Sequence, residues 1–273
     1  MHPQRAAERT ILHMQYARSY LACMAAIGAG APCLGGEFYQ GYAYAPADHR
    51  LLYRESHWLY TEDGVEHRLV VYSCPDGEPF VRKQLNSAPG AATPDVELFD
   101  ARGGYREGVR TRDGRREVFA QSSASAPERH APLGAPPNAV IDAGFDAFIQ
   151  THWDALSGSP VSPVAFLVPS ELRYLDFTAR VLRDEDTRDG ALRWFRLQLA
   201  DWYGFASPHV DVAYDKTTHE LREYSGVSNI RDAEGRNLTV TIRFPRSERR
   251  ADVTSAEIER AAARPLTGRC VLQ

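Results

Sequence analysis

Apolar and polar positions alternate with a period of two along most of this chain, and change to a helical period at one internal stretch. HWLYTEDGVEHRLVVYSC, residues 57–74, holds two strand-like runs joined at Asp63-Gly64, a pair that favours tight hairpins. PFVRKQL continues the meander after the turn Cys74-Pro75-Asp76-Gly77. VELFDARGGYREGVRTRDGRREVFAQ gives further strands, turning at Gly103-Gly104 and Asp113-Gly114. Beyond these, VAFLV, LRYLDFTARVL and ALRWFRLQLA read as strands, HVDVAYDKTTHELREYSGVSNI as a hairpin turning near Asp215–Thr218, and LTVTIRF as the last strand. In LRYLDFTARVL the set Leu175, Phe177, Ala179, Val181 faces a core while Asp176, Thr178 and Arg180 face water.

The exception is VIDAGFDAFIQTHWDAL, residues 140–156. Phe145, Phe148, Ile149, His152 and Leu156 fall on one helical face, with Trp153 at its edge. Asp142 is the expected N-cap, and Gly158 with Pro160 ends the helix. Thr254 and Glu257 form a capping box for a short terminal helix. Ser122 to Asn138, rich in Ser, Ala and Pro, is expected to be a flexible loop that keeps no ladder. The sum is ten or eleven strands, nearly all antiparallel, and a sheet of that size must curl, split or close. The expected fold is mainly β (α+β): a large curved antiparallel sheet or incomplete barrel covered by one internal helix. It forms a single domain over 32–245, followed by a tail, 246–273, with a short helix.

Composition changes little in this picture. The chain has 273 residues, 43% hydrophobic and 25% charged, ordinary for a globular protein. The net charge of −4 leaves no basic footprint for nucleic acid. Lys83 and Lys216 are its two lysines, against thirty arginines.

The N-terminus adds a compartment. Arg5, Arg9 and Arg18 precede the apolar run Tyr20 to Ala31, too short for a membrane span of roughly 20 apolar residues. Basic region, short apolar run and Ala29-Gly30-Ala31 read as a secretory signal over 1–31, with Met14 an alternative start. A buried N-terminal helix or an uncleaved anchor is the alternative. Lipid attachment at Cys23 or Cys33 has only weak motif support. The remainder carries 29 basic and 35 acidic residues, net −6, and is expected in the periplasm with no integral span. Cys33, Cys74 and Cys270 then allow one disulfide, Cys74–Cys270 or Cys33–Cys270, or three free thiols.

Candidate chemistry is sparse. His152 with Asp142 or Asp146 could act as an oriented base for a hydrolase, but the spacing fits no HExxH motif. His57, His67, His209 and His219 are scattered, and no GxSxG or phosphate cradle is present. Asp142 with Asp146 as a catalytic carboxylate pair is explained more simply by a cap and a first-turn charge. Lys83, in FVRKQL, could point into a cavity and hold an acidic head group while Phe and Trp take an acyl chain. A solvated Lys83 with a snorkelling stem is the plainer alternative, and Arg102 and Arg106 carry the same ambiguity.

FVRKQL, DARGGYREGV, VIDAGFDAFIQTHWDAL and SGVSNIRDAEGRN, with the hairpin VAYDKTTHELREYSGVSNI, resemble an uncharacterised exported proteobacterial family. That family looks like the periplasmic lipoprotein carriers (LolA/LolB-like), in which a sheet wraps into a half-barrel and helices close its mouth. The resemblance covers roughly Tyr53 to Phe244 and is structural rather than catalytic. The expectation is a carrier for a hydrophobic ligand (a lipid, acyl chain or lipoprotein segment), with an envelope protein as a possible partner. Phe145, Phe148, Ile149, Trp153, Lys83 and Arg102 are the candidate ligand-binding residues. No catalytic residue, metal ligand or cofactor is assigned. A hydrolase using His152 and a structural envelope factor with a filled core are the alternatives.

Overall fold

The computed structural model describes residues 36–159, 161–200 and 209–272. The signal over 1–31 and Cys33 lie outside these. One sheet of fifteen strands dominates the described residues. The first half contributes β1 (Glu37–Tyr44), β2 (Leu51–Glu62), β3 (Val65–Ser73), β4 (Pro79–Asn86), β5 (Asp95–Asp100), β6 (Tyr105–Arg112), β7 (Arg115–Gln121) and β8 (Arg129–Pro132). The second contributes β9 (Ala139–Val140), β10 (Ser162–Val168), β11 (Arg173–Thr187), β12 (Gly190–Leu199), β13 (His209–Asp215), β14 (Leu221–Arg231) and β15 (Asn237–Arg243).

The strand order places β1 beside β15 at the centre, and each half meanders outward to an edge, β8 on one side and β9 on the other. All ladders are antiparallel except the short β9–β10 pairing. The hairpins turn where the residue pairs dictate: Asp63 and Gly64 have φ of 50° and 77°, Asp113 and Gly114 50° and 72°. Positive φ at both positions gives turns whose twist matches that of the strands.

The sheet curls until its edges approach. A 3-10 turn, Pro169–Glu171, lies against β6 and β7. Arg129 on β8 donates to the Ser170 carbonyl at 2.7 Å. Leu167 from β10 and Ile141 pack with Val96, Val109 and Val118 of β5, β6 and β7. The result is an incompletely closed barrel whose gap lies between two strands adjacent in sequence.

The expected single helix is two, α1 (Gly144–Thr151) and α2 (Trp153–Gly158). They break at His152 (φ −105°, ψ 16°), whose ring Nδ1 and backbone N–H both sit on the Phe148 carbonyl, at 2.9 and 3.0 Å. The apolar stripe survives the break. Phe145, Phe148, Ile149, Trp153 and Leu156 are all buried, packed with Val164, Phe195, Leu197, Val212 and Tyr214 of the curled sheet. Asp142 is not the N-cap: it has φ 48°, and Ala143 occupies the cap position without a side-chain bond.

Two further corrections concern the strands. Segment 122–138 does keep a ladder, because β8 pairs with β7 from Glu117↔Pro132 to Ala120↔Arg129. Its Pro132 ends an edge strand, a position where a missing donor is tolerated. The sheet has fifteen strands rather than the expected ten or eleven: the runs named on the sequence correspond to β2–β7 and β10–β15, and β1, β8 and β9 are added. In β1 the buried position between Tyr39 and Ala43 is Gly41, where a Cβ would lie 2.4 Å from the Phe244 ring.

Outside the curl, α3 (Ser255–Ala263) packs Ile258 and Ala261 on Trp58, Leu69 and Val71. Thr254 accepts from the Glu257 N–H as expected, but the Glu257 carboxylate takes the Trp58 indole N–H at 2.8 Å instead of returning to the cap. Cys74 and Cys270 form a disulfide that fixes the C-terminal tail to the β3–β4 turn. No helix among the described residues is long and apolar enough to cross a membrane.

Candidate functional site

Alternation along β2, β3, β4 and β6 sends a set of polar side chains to the inside of the curl. On β2 the inward residues are Tyr53, Glu55 and His57, and Glu55 stands opposite Tyr72 of β3. Lys83 of β4 stands opposite Val70 of β3 and Leu98 of β5, and Glu107 of β6 follows Leu98 in the same row. Arg68 enters from β3. Glu55, His57, Arg68, Tyr72, Lys83 and Glu107 form one wall of a cavity of about 430 Å³ beneath the start of α1. The opposite wall is apolar: Phe166, Phe177, Leu197, Val210 and Val212, with Ile242 and Phe244 beside them.

The charged wall is a chain of pairs. Lys83 Nζ meets Asp142 Oδ1 at 2.7 Å, and the same oxygen accepts the Ala143 N–H at 2.6 Å. This explains why Asp142 does not cap the helix: the buried ammonium claims its carboxylate. Burial alone would raise Asp142, but the Lys83 charge and hydrogen bond, with the Ala143 N–H, hold it below the usual carboxylate range. Arg68 donates to Asp146 on α1 at 2.8 Å, and Tyr214 donates to the other Asp146 oxygen at 2.7 Å. Arg231 donates to the Tyr105 hydroxyl at 2.8 Å, which donates to Glu107 at 2.5 Å. Burial raises Glu107 above its ordinary value.

Glu55 and His57 form a pair of a different kind, Nε2 to Oε2 at 3.0 Å, both buried. His57 stacks on Tyr39 with ring centroids 4.5 Å apart. Burial holds His57 well below its usual range, so the imidazole is neutral, and burial pushes Glu55 up to about 7.

Beyond Arg68 and Asp146 lies a second hollow of about 560 Å³, lined by Tyr60, Glu66, His67, Gln150 and Arg249. Arg68, Ala143, Asp146 and Leu221 border both spaces, so this ion pair divides an outer groove from the inner cavity.

The structure distributes the candidate residues unevenly. Lys83 and Phe145 line the inner cavity. Phe148, Ile149 and Trp153 are spent on packing α1 and α2 against the sheet, with Trp153 edge-on to Phe195 at 5.1 Å. Arg102 lies elsewhere, bound to Asp100 at 2.5 Å, stacked over Phe80 at 4.5 Å and donating to the Arg231 carbonyl. Arg106 lies on the other face of β6 from Glu107, paired with Glu97 and over the Phe99 ring at 5.7 Å. The proposed base is not assembled: His152 faces the Phe148 carbonyl and ring, while Asp142 and Asp146 are bound to Lys83 and Arg68. Among the described residues no group of three or more His, Cys, Asp or Glu is placed to hold a metal ion.

Glu55, Arg68 and Glu107 are not among the candidates the sequence offers, and His57, scattered from the other histidines along the chain, joins them here. The one available cue was that each is a charged or polar residue on the apolar phase of its strand's alternation.

These features define an architectural class: a curled, incompletely closed antiparallel sheet with a helix over a cavity that is half charged and half apolar. No family model matches this chain, and no curated protein matches it. Among solved structures, it is similar to a β-barrel-like protein of domain of unknown function DUF1849 from Brucella abortus, at 8% identity and TM-score 0.48, covering 81% of this chain and 99% of that one. A DUF1329 family protein from Desulfovibrio piger aligns at 11% identity and TM-score 0.29, over 84% and 91% of the two chains. At these values the comparison carries no functional argument.

Proposed function

We propose that this chain is an exported binding or carrier protein for a hydrophobic ligand, a lipid, acyl chain or lipoprotein segment held between the curled sheet and α1. The observation that carries this reading is the cavity of about 430 Å³, within the roughly 300–1,000 Å³ of small-ligand sites. An apolar chain laid on Phe166, Phe177, Leu197 and Val210 gains roughly 25 cal/mol for each Å² removed from water. The buried charged wall orients its polar end. The resemblance to half-barrel lipoprotein carriers supports the same reading. Export to the periplasm is part of the proposal, supported by the Cys74–Cys270 disulfide, since such bonds persist in oxidising compartments. An envelope protein as partner belongs to it as well.

The test is organic extraction of the purified full chain followed by mass spectrometry. A lipid or other apolar molecule released in near-stoichiometric amount is expected. Extracts with nothing bound, together with failure of any apolar probe to bind, would overturn the proposal.

A further inference from the structure

The charged wall of the inner cavity is not balanced. Leaving aside the imidazoles, it presents three cations, Arg68, Lys83 and Arg231, and four carboxyl groups, Glu55, Glu107, Asp142 and Asp146. Two of the cations are committed at hydrogen-bond distance, Arg68 to Asp146 and Lys83 to Asp142. Arg231 reaches Glu107 through the Tyr105 hydroxyl. Glu55 is the carboxyl group left over. It is 7% exposed, and its bonded partner is the neutral His57. A second observation points the same way. His57, 5% exposed, lines the same cavity, and its Nδ1 has no hydrogen-bond partner among the described residues. With Nε2–H donating to Glu55, Nδ1 carries a lone pair and is an acceptor.

We infer that the polar end of the ligand is a cation, an alkyl ammonium group on an apolar body, seated on Glu55 beside His57. This rests on the binding reading above and adds the head-group chemistry to it. At Lys83 or Arg68 an anionic head would have to displace Asp142 or Asp146, while Arg231 is already tied by its terminal nitrogens to the Tyr105 hydroxyl and the Gly235 carbonyl. Either exchange strands a buried carboxylate without its partner, which is strongly unfavourable. An ammonium head displaces no protein group. It adds the positive charge that the wall lacks, and it donates hydrogen bonds to the Glu55 carboxylate. Tyr72 already carries Lys83 over its ring, but Tyr224 lines the same wall, and aromatic faces attract cations. Before the ligand arrives, a proton on Glu55 performs the same neutralisation, in keeping with burial that pushes this acid up to about 7. Ammonium binding therefore exchanges one positive charge for another at a fixed place.

Calorimetric titration of the full-length protein at pH 8 with decylamine, decanol and decanoate, which share one tail, tests this. Decylamine is expected to bind about tenfold or more tighter than either of the others. Glu55→Gln is expected to remove that advantage. Lysophosphatidylethanolamine and lysophosphatidylglycerol of one acyl chain in further arms identify the source: tighter binding of the ethanolamine lipid than of the glycerol lipid assigns the ammonium to a phospholipid head, and equal binding assigns it to a free amine. If decanoate binds most tightly, or the three ligands bind alike, the cation inference is overturned while the binding proposal stands. If none binds, the binding proposal itself has failed. Should Glu55→Gln not fold, Glu107→Gln and the wild-type ranking carry the same test, with the amine preference expected to weaken in the former.

Discussion

Glu55 and His57 sit two residues apart on one strand and titrate in opposite directions for one reason, the burial of both. Glu55 rises from 4.5 to about 7 on folding. Below the lower value it holds its proton whether the chain is folded or unfolded. Between the two, the unfolded chain has lost the proton and the folded chain keeps it, so this group's contribution to stability falls as pH rises through the window and is level above it. His57, held neutral, acts the other way and weakens the fold as pH drops below 6.5. Glu55→Gln isolates the first effect. Its unfolding free energy in urea is expected to match wild type near pH 4.5 and to exceed it by up to about 3 kcal/mol at pH 8, following 1.36 kcal/mol for each pH unit. A difference that stays constant with pH would contradict the assignment. At this scale the sequence was least informative. Lys83 was singled out because lysine is rare in the chain, but its partner Asp142 lies 59 positions away and reads locally as a helix cap. Arg68 and Glu107 become visible only once cross-strand register places them on the inner face.

At the scale of elements the sequence was more legible. The apolar stripe Phe145, Phe148, Ile149, Leu156 announced the helical segment and the face it buries, because 3.6-residue periodicity is a local property. The break at His152 was not legible, since it arises from a side chain competing for a carbonyl within the helix. Turns at Asp63-Gly64 and Asp113-Gly114 followed from positive φ at both positions. The strands β8 and β9 were hidden because each is too short to show a period.

The joint between β9 and α1 has a test of its own. The Ala92 carbonyl accepts the Ile141 N–H at 3.0 Å, and a Cβ on Gly144 would lie 2.2 Å from that same oxygen. Backbone rather than a flexible side chain is in the way, so α1 must lift. Gly144→Ala is expected to cost about 1–3 kcal/mol in urea unfolding, and to speed hydrogen exchange over residues 144–151 more than in the central strands. An unchanged exchange pattern would show that α1 is not docked through this contact.

For the whole molecule, the short turns announced an antiparallel sheet, and a count above about ten twisted strands pointed to a sheet that curls, splits or closes, of which the fifteen observed strands curl. The meeting of β1 with β15 joins residues about 200 positions apart, and no local pattern encodes it. The disulfide was one of two pairings open on the sequence. It spans 196 residues, which in the chain-entropy account corresponds to about 5 kcal/mol of destabilisation of the unfolded chain. Unfolding in urea with reductant is expected to show a loss of about 2–5 kcal/mol, within the usual range for such bonds. No change on confirmed reduction would mean that the tail is held by packing alone.

The central claim is that the space under α1 is a binding cavity. Val210 lines it from the apolar wall and is only partly buried, so Val210→Trp places an indole in the cavity with little demand on the core. The direct measurement is fluorescence titration of the full chain with N-phenyl-1-naphthylamine, for wild type and for this variant confirmed as folded by circular dichroism. Saturable binding to wild type at one site, lost or weakened about tenfold or more in Val210→Trp, is the predicted result. Equal binding to both proteins, or none to wild type, would contradict it.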